Sequence, residues 1–146
     1  MKDNYELHEL ISFRLGRLGY SVTSLYADRL KFLGITPKHV GVLATLHTKG
    51  VITQQELALE LGVAPSLIVL LADDLEAMHA ITRLRDATDR RRQNLRLEPA
   101  GLELLEKAVK RAREIDDELG ANLTSGQKQL LRELLMAIEI HPKEES

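Results

Sequence analysis

The sequence predicts a mainly α-helical fold in which a short β-ribbon follows two small helices, with long helices at both ends. Segments near both termini carry apolar residues at three- and four-residue steps, the spacing of amphipathic helices. Two shorter helical segments meet at Gly62, and beyond them two runs alternate apolar and polar residues, as half-buried strands do. With 146 residues and no internal repeat or flexible linker, we expect residues 1–146 to form a single domain.

Two helices are predicted before the central segment. Gly34 is expected to end the first one, because glycine adopts the left-handed conformation at little cost. Thr36 and Pro37 then supply an N-cap and a first-turn proline for a second helix that runs to about Thr48. The first helix covers residues 4–32, and its apolar face comprises Leu7, Leu10, Ile11, Leu15, Leu18, Val22, Leu25 and Tyr26.

The segment that starts at Thr53 has the spacing of a helix-turn-helix. Thr53 and Glu56 match the capping box that opens a helix, and Gly62 supplies the turn. Pro65 suits the first turn of the second helix. Small and apolar side chains are expected to face the core from both helices: Leu57, Ala58, Leu61, Val63, Ile68 and Leu71. This register is typical of a helix-turn-helix whose second helix enters the DNA major groove.

A β-ribbon with a charged tip is predicted after the second helix. Residues 81–85 and 94–97 alternate apolar and polar side chains, and residues 86–93 form a short charged loop between them. A minimal third strand is expected at residues 50–52. A helix-turn-helix followed by such a ribbon is a winged helix, which here occupies residues 36–98.

The chain resembles the MarR family of bacterial transcription regulators. The resemblance rests on Asp89-Arg90-Arg91 at the tip of the wing, on Leu95-Arg96-Leu97 after it, and on Pro99-Ala100-Gly101, which opens the next helix. It extends over almost the whole length of the chain. It implies a DNA-binding regulator, more often a repressor than an activator, in which helices from both termini interlock two protomers.

The terminal helices are expected to form a homodimer. One helix is predicted over residues 99–118, and Thr124 and Gln127 form the capping box of a last helix. Their leucine stripes, with that of the first helix, exceed what one winged core can cover, and such stripes usually mark an interface. We therefore expect residues 1–33 and 99–146 to form the dimerisation region, the alternative being a monomer whose terminal helices fold back. A two-fold dimer requires a pseudo-palindromic operator.

The wing carries a concentrated positive charge. Between Ile81 and Leu97 there are six arginines and two aspartates, although the whole chain has a formal net charge of −2. An arginine on a narrow ribbon can enter the minor groove, whose negative potential attracts it. By resemblance, Arg91 is the groove residue and Asp89 braces the loop. Arg90 and Arg92 would contact phosphate or support the tip.

The recognition helix is unusual for a DNA-binding protein. Val69 and Leu70 can pack on thymine methyl groups, whereas the bidentate contact of arginine with guanine is missing. Three acids of this helix, Asp73, Asp74 and Glu76, are expected to be unpaired and would be repelled by phosphate. We therefore expect affinity to depend on the wing and on helix N-termini. The candidate DNA contacts are Thr53, Gln54, Ser66, Val69, Leu70, Arg83, Arg90, Arg91 and Arg92.

The same recognition helix leaves a second function open. The chain could be a MarR-like dimeric interaction module whose specific DNA binding is weak or lost. Titrating selected against scrambled duplexes would discriminate the two functions.

Composition excludes several other classes of function. With no cysteine, the chain has no disulfide, no thiolate metal site and no thiol switch. No nucleophile elbow, phosphate-binding glycine loop or carboxylate pair indicates an enzyme, and the histidine spacing does not favour a metal. We expect no catalytic residue, metal or cofactor. No apolar run reaches the roughly 18 residues of a membrane span and no signal-peptide pattern opens the chain, so a cytoplasmic protein is expected.

A small-molecule effector is implied by the family resemblance. It would be an aromatic acid or phenol that binds between the dimer helices and the winged core and shifts the spacing of the recognition helices. Tyr20, His39 and His47 are the candidate contacts, since they are polar-tipped groups on the helices that should frame this crevice. Gly16 and Gly19 indicate either close helix packing or space for such a ligand.

Overall fold

Six α-helices and a three-stranded antiparallel sheet make up residues 6–139, the part of the chain that the computed structural model describes. The α-helices are α1 (Ile11–Leu30), α2 (Pro37–Lys49), α3 (Gln54–Leu61), α4 (Pro65–Ala77), α5 (Pro99–Leu119) and α6 (Ser125–Ala137). The strands are β1 (Ile52–Thr53), β2 (Ile81–Arg85) and β3 (Gln93–Leu97). The mainly helical winged fold predicted from sequence is confirmed.

The first helix is shorter than the sequence predicted. Leu10 is extended, with φ −68° and ψ 130°, so it separates α1 from a 3-10 turn at Leu7–Glu9. Residues 4 and 5 of the predicted helix lie outside the described residues. At its other end α1 continues through a second 3-10 turn, Lys31–Leu33. That turn ends at Gly34, whose φ of 71° confirms the predicted left-handed stop.

The helix-turn-helix has the predicted capping contacts. The backbone amide of Glu56 donates to the Thr53 hydroxyl at 3.1 Å, and the Thr53 amide donates to the Glu56 carboxylate at 2.8 Å. The backbone amide of Thr53, and secondly its hydroxyl, hydrogen bond to the Glu56 carboxylate and lower the pKa of Glu56. Gly62 has a φ of 62° at the turn, and Pro65 occupies the first turn of α4. Local sequence signals therefore define both ends of α3.

The wing is a sheet with strand order β1-β3-β2. Strands β2 and β3 pair from Ile81 opposite Leu97 to Arg85 opposite Gln93. A third strand is present, but it begins later than the predicted residues 50–52: β1 contains only Ile52 and Thr53, with Ile52 opposite Leu95. Leu95 is fully buried, so the middle of the wing is attached to the helical core.

The core lies where the helix-turn-helix meets α2 and the base of the wing. Gly101 explains how α5 starts so close to the sheet, because a Cβ there would lie 2.1 Å from the Ala80 carbonyl oxygen. Only glycine allows this approach without a backbone shift. The largest fully buried side chains are Leu30, Leu43, Leu46, Leu57, Ile68, Leu75, Ile81, Leu95 and Val42.

The terminal helices leave a large apolar surface exposed. Helix α5 is fastened to α1, because the Tyr26 hydroxyl donates to the Ala108 carbonyl at 3.1 Å and Arg29 pairs with Glu114 and Glu118. Helix α6 has the predicted Thr124 capping box but no buried residue. Apolar side chains exposed on α1 and α6 include Ile11, Phe13, Leu15, Leu18, Leu130, Leu131, Leu134, Leu135 and Met136.

Candidate nucleic-acid interface

The N-terminal ends of α3 and α4 and the tip of the wing enclose one surface cleft, which we call the α3–α4–wing cleft. Its volume is about 240 Å³. Six of the nine predicted DNA contacts line it, so residues far apart in sequence meet on one surface. The lining residues are Thr53, Gln54, Gln55, Pro65, Ser66, Val69, Arg91, Arg92 and Gln93.

Two glutamines in this cleft were not among the predicted contacts. Gln55 lies in the first turn of α3, and Gln93 is the first residue of β3. Each brings an amide that can both donate and accept hydrogen bonds. In the sequence, Gln55 lies within the capping box and Gln93 follows the arginine run, and this proximity could have indicated both. Their meeting in one cleft could not be predicted, because it is the folded wing that brings β3 beside α3.

The wing tip is braced by two aspartates. The Asp86 carboxylate accepts from the Thr88 hydroxyl at 2.7 Å and from the Thr88 amide at 2.8 Å, and these bonds lower the pKa of Asp86. Asp89 contributes as expected, since its carboxylate accepts from the Arg91 amide at 2.9 Å. Its carbonyl accepts from the Arg92 amide at 3.1 Å. The backbone of the basic loop is therefore fixed by its acids.

The arginine side chains at the tip remain available. Arg90, Arg91 and Arg92 are all exposed. Arg92 lies 4.0 Å from Asp89, at the limit of an ion pair. Within residues 6–139, no carboxylate pairs with the guanidinium of Arg90 or Arg91. The tip thus presents positive charge that the protomer does not neutralise.

Helix α4 turns an apolar surface outward beside the wing. Ser66 is exposed, and the exposed fractions of Val69 and Leu70 are 41% and 62%. Ala64 precedes the helix and gives it no side-chain cap. Pro65 has no backbone N–H and the Leu67 amide donates to the Ala64 carbonyl at 3.0 Å, so the Ser66 amide is the one that can bind an external acceptor. The opposite face enters the core through Ile68, Leu71, Ala72 and Leu75.

Arg83 is held inside the fold by four groups, an arrangement that we call the Arg83 clamp. Its guanidinium lies 2.6 Å from Asp73 and 2.7 Å from Glu76. It also donates to the Gln54 amide oxygen and to the Val69 carbonyl, both at 3.1 Å. Burial alone would lower the pKa of Arg83, but the hydrogen bonds to its two carboxylates outweigh burial and raise it. Arg83 therefore connects β2 with α3 and α4.

The expectation that the acids of α4 are unpaired is wrong for all three. The Arg83 clamp pairs Asp73 and Glu76, and Asp74 lies 2.9 Å from Nε2 of His39 on α2. The sequence conceals these pairs because each crosses between elements, 35 residues apart in the case of His39 and Asp74. Charges on α4 must therefore be considered with their partners.

The three candidate effector contacts have different environments. Tyr20 is 79% exposed on α1 and lines an open cleft of about 530 Å³, whose wall contains Gly16 but neither histidine. His39 is buried and hydrogen bonded, whereas His47 is exposed on the last turn of α2. A Cβ added at Gly16 would have no other atom within 4 Å, so close packing within the protomer does not explain why this residue is a glycine.

The described residues lack the side-chain grouping of a metal site and the helix of a membrane span. Within residues 6–139, no group of three or more histidine or carboxylate side chains is placed to hold a metal ion. In the same residues no single helix is long and apolar enough to cross a membrane. Helices α3 and α4 are long and apolar enough only when they are taken together, and the angle between them is 111°.

Known proteins share the sequence pattern of this region. Residues 35–92 match the model of the MarR family. The chain is 32% identical over 101 residues to the HTH-type transcriptional repressor MdtR of Bacillus subtilis, an alignment that covers 69% of this chain and 65% of that relative. It therefore spans less than two thirds of the relative's length.

Two solved structures have the same fold. Apo MarR from E. coli superposes with a TM-score of 0.78 at 23% identity, covering 87% of this chain and 94% of that one. A mutant of E. coli MarR in complex with operator DNA superposes with a TM-score of 0.66 at 27% identity. That match covers 84% of this chain and 91% of the mutant.

Proposed function

We propose that this chain is a member of the MarR family and a homodimeric repressor that binds a pseudo-palindromic DNA operator and responds to a small molecule. Members of this family are transcriptional regulators, not enzymes. The observation that carries the proposal is the α3–α4–wing cleft, which combines an exposed face of α4 with unneutralised arginines of the wing.

The proposed binding mode assigns a separate role to each part of the cleft. Arg91 enters the minor groove, and Arg90 and Arg92 contact phosphate, since arginine is attracted to the negative potential of a narrow groove. The uncapped start of α4 binds a phosphate oxygen. Val69 and Leu70 pack on thymine methyl groups, so half-sites rich in thymine are preferred.

The role of Arg83 follows from its position in the clamp. Its side chain is 17% exposed and its donors are directed at groups of the protein itself. We assign it to orienting α4 relative to the wing, and Gln54, its partner, to the same clamp. The remaining predicted contacts at Thr53 and Ser66 line the cleft and face the duplex.

The dimer is supported by the exposed apolar surfaces of α1 and α6. A helix without any buried residue gains its hydrophobic stabilisation from a partner, and α6 has none buried in the protomer. The proposed partner is a second copy of the chain. The solved relative bound to operator DNA supports a DNA-binding role for this fold.

The effector would be a small aromatic acid or phenol. The cleft on α1 lined by Phe13, Gly16, Arg17 and Tyr20 supports this proposal, because it combines two aromatic rings with a cation and an open glycine. Binding that favours one spacing of the recognition helices by about 1–3 kcal/mol is enough for regulation. A regulator of this kind acts in the cytoplasm.

A selection of binding sites from random duplexes tests the proposal. It is carried out with the full chain at two salt concentrations, and selected and scrambled duplexes are then titrated. Selected pseudo-palindromes rich in thymine, bound more tightly than scrambled duplexes, are the expected result. Equal binding of both duplexes would exclude a specific operator.

The second candidate function is a dimeric interaction module without specific DNA binding. It is favoured by one observation: α4 contains three acids and no lysine, arginine or histidine. In that case the chain would still dimerise, and selection would enrich no site. The same experiment therefore decides between the two functions.

A further inference from the structure

The side chain of His39 links the start of α2 to the recognition helix α4. Nδ1 of the ring lies 3.0 Å from the backbone amide of Thr36, and Nε2 lies 2.9 Å from the Asp74 carboxylate. The histidine is 6% exposed, and among the described residues it is the one polar side chain that is buried with the apolar core. Both ring nitrogens are therefore used by the fold.

The partners of the ring determine where its proton lies. A backbone N–H can only donate, so Nδ1 must accept from Thr36 through its lone pair. The Thr36 hydroxyl, 2.8 Å away, can donate to the same nitrogen. A neutral imidazole then carries its proton on Nε2, which donates it to Asp74. This tautomer satisfies both contacts at once.

The hydrogen bond between His39 and Asp74 bears on DNA binding because Asp74 lies on the recognition helix. Asp74 follows Leu70 by four residues, so the two share the exposed side of α4. Its side chain is 64% exposed, and its contact with His39 draws the carboxylate toward α2. Without that bond, the carboxylate could rotate toward an approaching phosphate, because the solvent around it leaves room for other rotamers.

We propose that His39 is a positioning residue that holds the Asp74 carboxylate against α2 and so keeps its charge away from bound DNA. The inference rests on the proposed function, since it concerns how α4 meets a duplex. It gives a reason for a buried histidine at a site that otherwise requires only apolar packing. Helix α2 also packs against α1 and α5, so the bond connects the terminal helices to the recognition helix.

Two substitutions separate the two contacts of the ring. The amide of asparagine reaches the position of Nδ1, so His39→Asn retains the acceptor for Thr36 and loses the donor to Asp74. The longer glutamine places an amide near Nε2, so His39→Gln retains the donor and loses the acceptor. Both variants are neutral and polar, and each is the matched control of the other.

Duplex affinity is measured for the wild type, both variants and Asp74→Asn at about 50 mM and about 200 mM salt, a range over which charge contacts weaken strongly. His39→Asn should weaken binding about threefold to tenfold at the lower salt, as expected for one charge released near phosphate, and less at the higher salt. His39→Gln should bind nearly as the wild type does. Adding Asp74→Asn to His39→Asn should restore affinity.

The readouts distinguish this role from a purely structural one. Loss of packing alone would weaken binding equally at both salts, and Asp74→Asn would not rescue it. Nitrogen NMR of the histidine ring in the full chain should show the proton on Nε2. Either a proton on Nδ1, or wild-type affinity of His39→Asn at both salts, would overturn the inference while leaving the DNA-binding function intact. If the wild type bound no duplex specifically, the proposed function and this inference would fail together.

Discussion

The guanidinium of Arg83 and the carboxylate of Asp73 lie 2.6 Å apart and join the wing to the recognition helix. Arg83 is on β2 and Asp73 is on α4, so a turn of the chain lies between them. The same guanidinium reaches Glu76 and the Val69 carbonyl. The wing and α4 are therefore fixed to each other, and they should move as one unit in the proposed homodimer.

Replacing Arg83 by methionine should loosen this unit. Charged hydrogen bonds typically contribute about 1.5–3 kcal/mol, and the half-exposed carboxylates can regain water, so we expect a loss of about 1–2 kcal/mol in the free energy of unfolding. Denaturant unfolding measures this loss. Arg85→Met on the same strand is the control, because Arg85 is exposed, and it should change stability by less than about 0.5 kcal/mol. Equal effects of the two substitutions would contradict the clamp.

Gly101→Ala should be strongly destabilising. The added methyl group would lie 2.1 Å from the Ala80 carbonyl oxygen, so α5 must move away from the sheet. Overpacking of this kind costs about 1–3 kcal/mol. Gly41→Ala is the matched control in α2, where the new Cβ would meet Leu61 at an ordinary 3.5 Å. Thermal unfolding should show a lower midpoint for Gly101→Ala, and an unchanged midpoint would show that α5 is free to shift.

The proposed homodimer should depend on one face of α6. Leu134 lies among the exposed leucines of that helix, whereas Met136 is 86% exposed two residues further on, on a different face. Leu134→Glu should dissociate the dimer at micromolar concentration, because burying a leucine contributes about 1.5–3 kcal/mol. Met136→Glu, which adds the same charge, should leave it intact. Sedimentation measures the oligomeric state of the wild type and both variants. A wild type that sediments as a monomer would refute the proposed homodimer.

The wing tip should tolerate acid better than an unstructured loop. Hydrogen bonds from Thr88 hold the pKa of Asp86 below its ordinary value of 3.8. The folded carboxyl therefore binds its proton less readily than the unfolded one. The stability that the ionised Asp86 contributes to the wing tip is fully present above the unfolded pKa, and it is lost as the pH falls through the lower folded pKa. An NMR titration of the Asp86 carboxyl and the Thr88 amide should show a shared midpoint below 3.8. A midpoint above that value would contradict the bracing.

Local patterns were sufficient to predict the helix-turn-helix and the wing. The Thr53 capping box, the turn at Gly62 and the alternation of Ile81–Arg85 each describe interactions between near neighbours in sequence, and the structure confirms them. The start of α1 was predicted too early, since the apolar repeat continues past the extended Leu10 without marking the break.

Contacts between elements could not be predicted in the same way. The acids of α4 were expected to be unpaired because their partners, Arg83 and His39, lie on other elements. Gly101 was recognised as part of a motif, but its close approach to Ala80 depends on how α5 packs. The part of the site that sequence described well is the arginine run, because exposed charge at a loop tip depends little on packing.

The salt dependence of duplex binding by Arg91→Ala tests the DNA-binding role of the wing most directly. A cation in the minor groove displaces counterions from DNA as a phosphate contact does, and each such cation lost reduces the slope of log affinity against log salt by about one unit. Arg91→Ala should therefore bind more weakly and with a shallower slope than the wild type. Arg132→Ala, an equal loss of charge on the exposed surface of α6, should leave affinity and slope unchanged. Wild-type affinity and slope in Arg91→Ala, and also after replacement of Arg90, Arg91 and Arg92 together, would contradict the account.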